Sequence, residues 1–570
     1  MKLDKKAISK ALCLSAVCCV LLTNVAYAND KTNCENVQTA SIAVNTTDAY
    51  YKVIEQKNVY AEEKNPFLEK EYLDKAKVIA DNFPNDKSIQ RNYHENLSNF
   101  YSNYGNSYAT VAELEKALKY LDTNDIDASI SMYNQLARYY AEVNDYEKAD
   151  LMLKKKAKIL KNNKHLEYKV GDYATRMYHY IGQGKLSVVL PAYTEGKSIL
   201  DKNNFENKDL YFELNEPLIS YYLTTYNANS AKTALDYHLN LAKKEKRNDL
   251  KSFVLGEYVT YYGIMQDLDS AKKLQKALLN TNKKLYDKNS TGNVDGVATQ
   301  INYYQWIGDS EKAEKLAIKN ANYAEQFKDI APVVYANTLK QLAQVKLDSK
   351  KIAEALSAVK EAKQNYLIAL PKNSLNIYET EKLTGDIYMS IGDIEQGIKH
   401  YETAKNILNK TVKNPFNNHI DIYKTLADAY SQNGNTEKAI TEINKAINVA
   451  TSTYGENNIR TLWLQLDKAN IYKNGEQCVL AKNQINNILD KVNAKKVSDP
   501  FDIEFQCYMF LAYDDFDKGN YDDALANATK ALQNPFRDEN KDGADALISQ
   551  IYNAQDKKLK SLKHKIKSKI

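Results

Sequence analysis

A phrase that returns every 42 residues governs what this chain can fold into. Gly385, Tyr388, Gly392, Gly397, Tyr401 and Ala404 recur, 42 residues on, as Ala427, Tyr430, Gly434, Ala439, Ile443 and Ala446. The same step leads down to Tyr472 and Ala481. It leads up through Ala355 to Tyr304, Gly308 and Ala313, then to Tyr262 and Ala271. A period of this size marks one supersecondary unit copied along the chain. Within the unit, apolar residues at i, i+3 or i+4, and i+7 draw one stripe on each of two helices. Tyr423, Leu426, Ala427 and Tyr430 form one stripe; Ala439, Ile443 and Ala446 form the other. Between them Gly434 suits a left-handed C-cap, and Asn435 or Thr436 caps the next helix. A single hairpin cannot bury its stripe alone, so the units must stack, and the expected fold class is all-α.

The order small residue, aromatic, Gly, small residue, aromatic, Ala resembles the tetratricopeptide repeat. The step is longer than that family's usual ~34 residues and is similar to the kinesin-light-chain type. The phrase TYGENNIRTLWLQLDKANIY at 453–472 is similar to the connector and first helix of those repeats. The resemblance covers most of the mature chain and is strongest from Val297 to Leu532. It implies an α-solenoid, a right-handed superhelix of about ten to eleven hairpins, whose first helices line a concave groove for a protein or peptide partner. One unit departs: Lys346 stands in the aromatic slot.

Residues 1–28 read as a targeting segment. Lys2, Lys5, Lys6 and Lys10 make a basic start, 11–22 is a short apolar run, and Ala26-Tyr27-Ala28 is a cleavage site. The run falls short of the ~20 residues of a membrane span. An uncleaved anchor and a lipid on Cys18 or Cys19 are the alternatives, though Val17 stands where lipidation needs a small residue. The expected product is exported, periplasmic or secreted, and begins at Asn29. Its composition, 44% hydrophobic and 26% charged with 18 Gly and 9 Pro, is that of an ordered helical protein. Tyrosine fills most aromatic slots, 44 against 13 Phe, because its ring packs while its hydroxyl reaches a polar edge.

Along the chain, 29–45 lacks periodicity and forms a loose segment. Residues 46–255 read as degenerate hairpins, beginning with 47–61 and 66–83, and 256–536 as the regular array. A capping helix is expected in 537–555, starting near Gly543. The tail 556–570 holds seven Lys and one Asp. Loss of 1–28 lowers the net charge from +5 to +2, and with +6 in the tail the repeat body is about −4. No broad basic face points to nucleic acid.

Chemistry-bearing motifs are absent from the sequence. The seven histidines lack metal-ligand spacing, and no P-loop, G-x-G-x-x-G or G-x-S-x-G occurs. No cofactor is expected, and the repeats leave no stretch of about 100 residues for a catalytic domain. Asp514-Asp515 and Asp522-Asp523 read as a solvated face or as helix-dipole support. Three cysteines remain after cleavage: Cys34, Cys478 and Cys507. The last two sit towards opposite ends of antiparallel helices, on the order of 15 Å apart. A disulfide needs Cα atoms within about 7 Å, so free thiols are expected.

The candidate site is a ladder on the first helices. Two residues before the aromatic slot stand Asn302, Gln344, Asp386, Asp428 and Asn470 in successive units; four earlier, Lys340, Lys382 and Lys424 recur. Amides and carboxylates in a row can bind an extended peptide backbone. The bland alternative is that Lys382–Asp386 and Lys424–Asp428 only pair within their helices. The carboxylate clamp of chaperone-binding relatives is not matched, since Asp replaces Asn twice and Leu383 stands where a clamp Asn would be. The expected role is a non-catalytic scaffold for protein or peptide partners. A structural envelope protein, in weak contact with an anionic membrane through its tail, and an enzyme built on the superhelix are the other classes. The sequence does not indicate the oligomeric state.

Overall fold

The computed structural model describes residues 46–161 and 166–555, apart from 204, 206, 226, 266, 414, 495, 498–500 and 534–537. The targeting segment, the loose segment with Cys34 and the Lys-rich tail therefore lie outside the described residues. All regular structure among the described residues is helical. Among the described residues, twenty-five α-helices succeed one another as twelve helix–turn–helix phrases and one last helix. That is one or two phrases more than the repeat spacing alone indicates.

The first six phrases are α1 (Thr47–Glu62) with α2 (Pro66–Ala80), α3 (Lys87–Asn103) with α4 (Ser107–Leu118), α5 (Ile126–Glu142) with α6 (Tyr146–Leu160), α7 (Leu166–Gly182) with α8 (Val189–Asn203), α9 (Asp209–Thr224) with α10 (Ala228–Lys244), and α11 (Asn248–Ile264) with α12 (Leu268–Leu285). The seventh to ninth are α13 (Gly292–Trp306) and α14 (Ser310–Ala324), α15 (Pro332–Asp348) and α16 (Ile352–Ala369), and α17 (Leu375–Ser390) and α18 (Ile394–Thr411). The last three are α19 (Asn417–Gln432) and α20 (Thr436–Tyr454), α21 (Ile459–Asn474) and α22 (Cys478–Asn493), and α23 (Phe501–Asp517) and α24 (Tyr521–Gln533). The single helix α25 (Asp538–Ala554) follows. By packing, the chain forms two compact units: residues 1–391 with 406–414, and 392–405 with 415–570. In the second, Ala544, Leu547, Ile548 and Ile551 of α25 close the core against Ala524, Ala528 and Ala531 of α24.

One turn recurs throughout. Lys64, Gly105, Asn144, Gly184, Gly308, Lys350, Gly392, Gly434, Glu476 and Gly519 each carry positive φ at the turn of their phrase. The next residue donates its N–H to the carbonyl four residues before the turn residue, as Asn106 to Tyr101 (2.8 Å), Asp145 to Tyr140 (2.8 Å) and Asn435 to Tyr430 (2.9 Å). This is the Schellman closure. Asn or Asp in the donor position then caps the following helix: Asn435 Oδ1 accepts from Lys438 N at 3.1 Å, and Asp309 Oδ1 from Lys312 N at 3.2 Å. From Gly308 to Glu476 the turn residues step by 42, and the next step, to Gly519, is 43. Upstream, from Lys64 through Gly105 and Asn144 to Gly184, the steps are 41, 39 and 40. A fixed period therefore loses the register there, although the turn itself is unchanged.

Counting from the turn residue explains the rest of the phrase. Four positions earlier stand Tyr60, Tyr101, Tyr140, Tyr180, Tyr304, Tyr388, Tyr430 and Tyr472, with Lys346 and Asp515 as departures. Tyrosine hydroxyls there reach acids on the preceding helix: Tyr140 to Glu115 (2.7 Å) and Tyr430 to Glu402 (2.9 Å). Lys346 makes the same approach with a charge. It is buried, lies 2.7 Å from Glu314 and also pairs with Glu354, and its register is that of its neighbours. Burial opposes its charge, but the two carboxylates outweigh it and raise the Lys346 pKa. Asp515 inverts the pairing, meeting Lys482 at 2.8 Å and accepting from Asn527 at 3.0 Å. The solvated face expected for Asp514 and Asp515 is thus wrong. Both are buried, because the slot turns them towards α22 and α24 rather than to water. Five positions after the turn residue, Ala149, Ala313, Ala355, Ala439, Ala481 and Ala524 fill the helix crossing, all fully buried.

Candidate functional site

The ladder residues sit six positions before the turn residue on successive first helices. Asn302 on α13, Gln344 on α15, Asp386 on α17, Asp428 on α19 and Asn470 on α21 are all half-buried. Flanking helical residues such as Ile301, Ala343, Ile387, Ala427 and Ala469 point into the core instead. The same register, carried upstream from Gly105, Asn144 and Gly184, adds Asn99, Arg138 and Tyr178. Sequence reasoning missed these three because the 42-residue step fails before Tyr262. Counting back from each turn glycine or asparagine would have found them.

Among the predicted members, Lys382 pairs with Asp386 and Lys424 with Asp428, while Asn302, Lys340 and Gln344 bond residues outside the set. In the first unit, Gln341 Nε2 on α15 donates to Asn302 Oδ1 and to the Ala298 carbonyl, both at 2.9 Å. Lys340 pairs with Glu379 on α17. Gln344 Nε2 donates to Asp348 Oδ1 at 3.0 Å, and Lys382 lies 3.9 Å from Asp386. In the second unit, Lys424 Nζ meets Asp428 at 2.7 Å in its own helix and Asp467 of α21 at 3.6 Å. Burial works against the Lys424 charge, but Asp467 and Asp428 outweigh it and its pKa rises. Asn474 Nδ2 donates to Ser431 Oγ at 3.3 Å, and Lys473 reaches Asp517 at 3.3 Å. The helical pairing read from the sequence is real, and lateral bonds between neighbouring first helices add to it.

The upstream stretch of the same face is acidic. Arg138 Nε lies 3.3 Å from Glu142 Oε1, and Ser107 Oγ donates to Glu142 Oε2 at 2.8 Å. The Arg138 charge also acts on Tyr178 of α7 and, beyond that helix, on Glu216 of α9. Burial pushes the Glu216 carboxyl up to about 7. Burial, with Glu216 as neighbour, pushes Glu257 of α11 to about 7 as well. Burial also raises Glu142 and Glu213. One guanidinium thus acts on Glu142, Glu213 and Glu216, with Glu257 next to Glu216, and burial favours the protonated form of all four carboxyls. Among the described residues, no cluster of three or more His, Cys, Asp or Glu side chains could hold a metal ion. Cys478 and Cys507 are free, and burial pushes the Cys507 thiol up to about 12.

No curated protein matches the sequence. The tetratricopeptide repeat model matches residues 420–453, the α19–α20 hairpin. Among solved structures, a Podosopora anserina protein of nearly identical kinesin-light-chain, TPR-like repeats is 15% identical, with 36% of this chain and 99% of that chain covered and a TM-score of 0.33. A Rap protein complexed with competence and sporulation factor is 12% identical, with 65% and 98% covered and a TM-score of 0.43. The APC/C hetero-tetramer Cut9–Hcn1 is 14% identical, with 91% and 93% covered and a TM-score of 0.36. Residues 420–453 match the tetratricopeptide repeat, the other phrases share that hairpin's turn register and its buried crossing, and the fold is an all-α array of stacked helix–turn–helix phrases.

Proposed function

We propose that this protein is an exported scaffold that holds protein or peptide partners on the inner faces of its first helices, without catalysis of its own. One observation carries the reading. A row of polar, half-buried side chains keeps a single register from Asn99 to Asn470, while the residues beside it are buried apolar. Polar residues gain nothing from that register by packing alone. Their remaining donors and acceptors suit an extended polypeptide backbone. Export rests on the targeting pattern of residues 1–28, and N-terminal sequencing of the mature protein should return Asn29; an intact Met1 would refute it.

The binding test is the triple variant Asn302→Ala/Gln344→Ala/Asn470→Ala beside wild type, with partners first captured from intact cells using the mature protein as bait. Capture should fall about tenfold or more, from ~0.5–1.5 kcal/mol per lost hydrogen bond. The melting temperature should hold to within the small cost of half-exposed substitutions. Unchanged capture moves the interaction off this face; a collapsed melt makes the row structural. The seven lysines of 556–570 favour a second reading, an envelope-associated protein held at an anionic surface. Among the described residues no helix is long and apolar enough to cross a membrane. Release from membranes by salt would support that second reading.

A further inference from the structure

Within the first unit, chain segments more than two hundred residues apart meet. The carbonyl of Lys64, in the turn between α1 and α2, accepts from the N–H of Thr291 at 3.0 Å and from its hydroxyl at 3.4 Å. Lys64 Nζ lies 3.4 Å from Asp295 and 5.4 Å from the centre of the Tyr286 ring. Phe67 and Phe327 approach with ring centres 5.6 Å apart. Leu73, Phe100 and Tyr104 share one buried core with Val294, Phe327 and Val333. A Cβ added at Gly105 would stand 3.1 Å from Val333 Cγ1, so the two backbones are close. Further round, Lys413 pairs with Glu147 at 2.7 Å.

Each hairpin from the first to the seventh packs on the next. Contact between the first two and the seventh and eighth therefore closes a ring. A solenoid stabilised only by neighbours would have no such contact. Every other junction in the ring joins segments tethered by a short connector. The junction at Lys64, like the Lys413–Glu147 pair further round, has no covalent tether, so it can part without any hairpin unfolding.

We propose that this seam is a latch, and that the first unit interconverts between a closed ring and an open arc by parting there as one event. The polar rim sets the balance: Lys64 and Asp295 form the ion pair at the edge, and the apolar core lies behind it. Opening would relax the curvature that brings Arg138 within electrostatic reach of Glu216 two hairpins on, and so retune the inner face. That consequence rests on the concave-face reading; the latch itself does not.

The test uses full-length mature protein with Cys34→Ser, Cys478→Ser and Val333→Cys. Position 333 is buried at the seam, and the buried native Cys507 in the other unit serves as internal control. Lys64→Glu, which sets a carboxylate against Asp295, should speed thiol labelling at position 333 about tenfold and leave Cys507 unchanged. The swapped pair Lys64→Glu/Asp295→Lys should restore the slow rate. Spin labels at the exposed positions Val78 and Ile318, on the same Cys34→Ser/Cys478→Ser background without Val333→Cys, should report two separations, the longer one gaining population in Lys64→Glu. Equal acceleration at Cys507, an unchanged rate at position 333 or a single separation in both proteins would overturn the latch.

Discussion

The first hairpin and the tenth solve the same packing problem with opposite chemistry. Five residues after the turn, where two helices cross, the tenth hairpin has Ala439, fully buried beside Ile443 and Ala446. The first has Glu69, equally buried. Its Oε1 lies 3.2 Å from Nζ of the buried Lys57, and its Oε2 accepts from Tyr104 Oη at 2.8 Å. Asn103 Nδ2 also donates to it at 3.4 Å, and Lys57 Nζ reaches Asn96 Oδ1 at 3.4 Å. The crossing therefore demands a filled and satisfied site, and smallness is only the simplest way to provide it. A buried pair depends on all its partners at once, whereas alanine depends on none.

The largest effect should come from breaking the charged version. Glu69→Ala leaves Lys57 buried and uncompensated and should cost ~3–5 kcal/mol in denaturant melts. Lys57→Met/Glu69→Leu should recover most of that loss, because the charge and its partner leave together. A harmless Glu69→Ala would show that the two crossings do not differ in kind.

Acid should separate the two units. The first buries His179 and His238 and the second His419; burial lowers all three, pushing His238 and His419 down to about 4. A folded pKa below the unfolded 6.5 means stability that is present above pH 6.5 and lost as pH falls towards 4. At about 1.4 kcal/mol per unit this reaches up to ~3 kcal/mol for His238 and for His419. In the first unit, carboxyls raised by burial act in the opposite sense. Glu216 and Glu257 hold protons more tightly folded than unfolded, so they gain stability as pH falls from about 7 towards 4.5. The second unit should therefore lose its structure first between pH 7 and 5, seen as a separating transition in calorimetry. Simultaneous loss would contradict the assignment.

Smaller effects test the alanine crossing and the turn. Ala439→Leu should overpack α19 against α20 and cost ~1–3 kcal/mol, read from a thermal melt. Lys350→Gly should stabilise by about 0.5–1 kcal/mol, since Lys350 holds a φ of 60° that glycine adopts freely. Gly434→Ala, at φ 74°, should change stability by a similar amount in the other direction.

Whatever can be specified within one repeat length was legible in the sequence. The helical stripes, the Gly434 turn, the Asn435 cap, the alanine crossing and the all-α class follow from residues within about 42 positions of one another. Short-range geometry and burial settle them. The five ladder positions and their helical ion pairs were legible for the same reason. The lateral bonds from Gln341 to Asn302 and from Lys424 to Asp467 were not, because they need the offset between neighbouring first helices. Nor was the burial of Asp514 and Asp515, which depends on Lys482 and Asn527 reaching them from two other helices. The meeting of Lys64 with Thr291 lies furthest from the sequence. Small rotations at each junction add up over seven hairpins, and only their sum decides whether the first unit closes on itself.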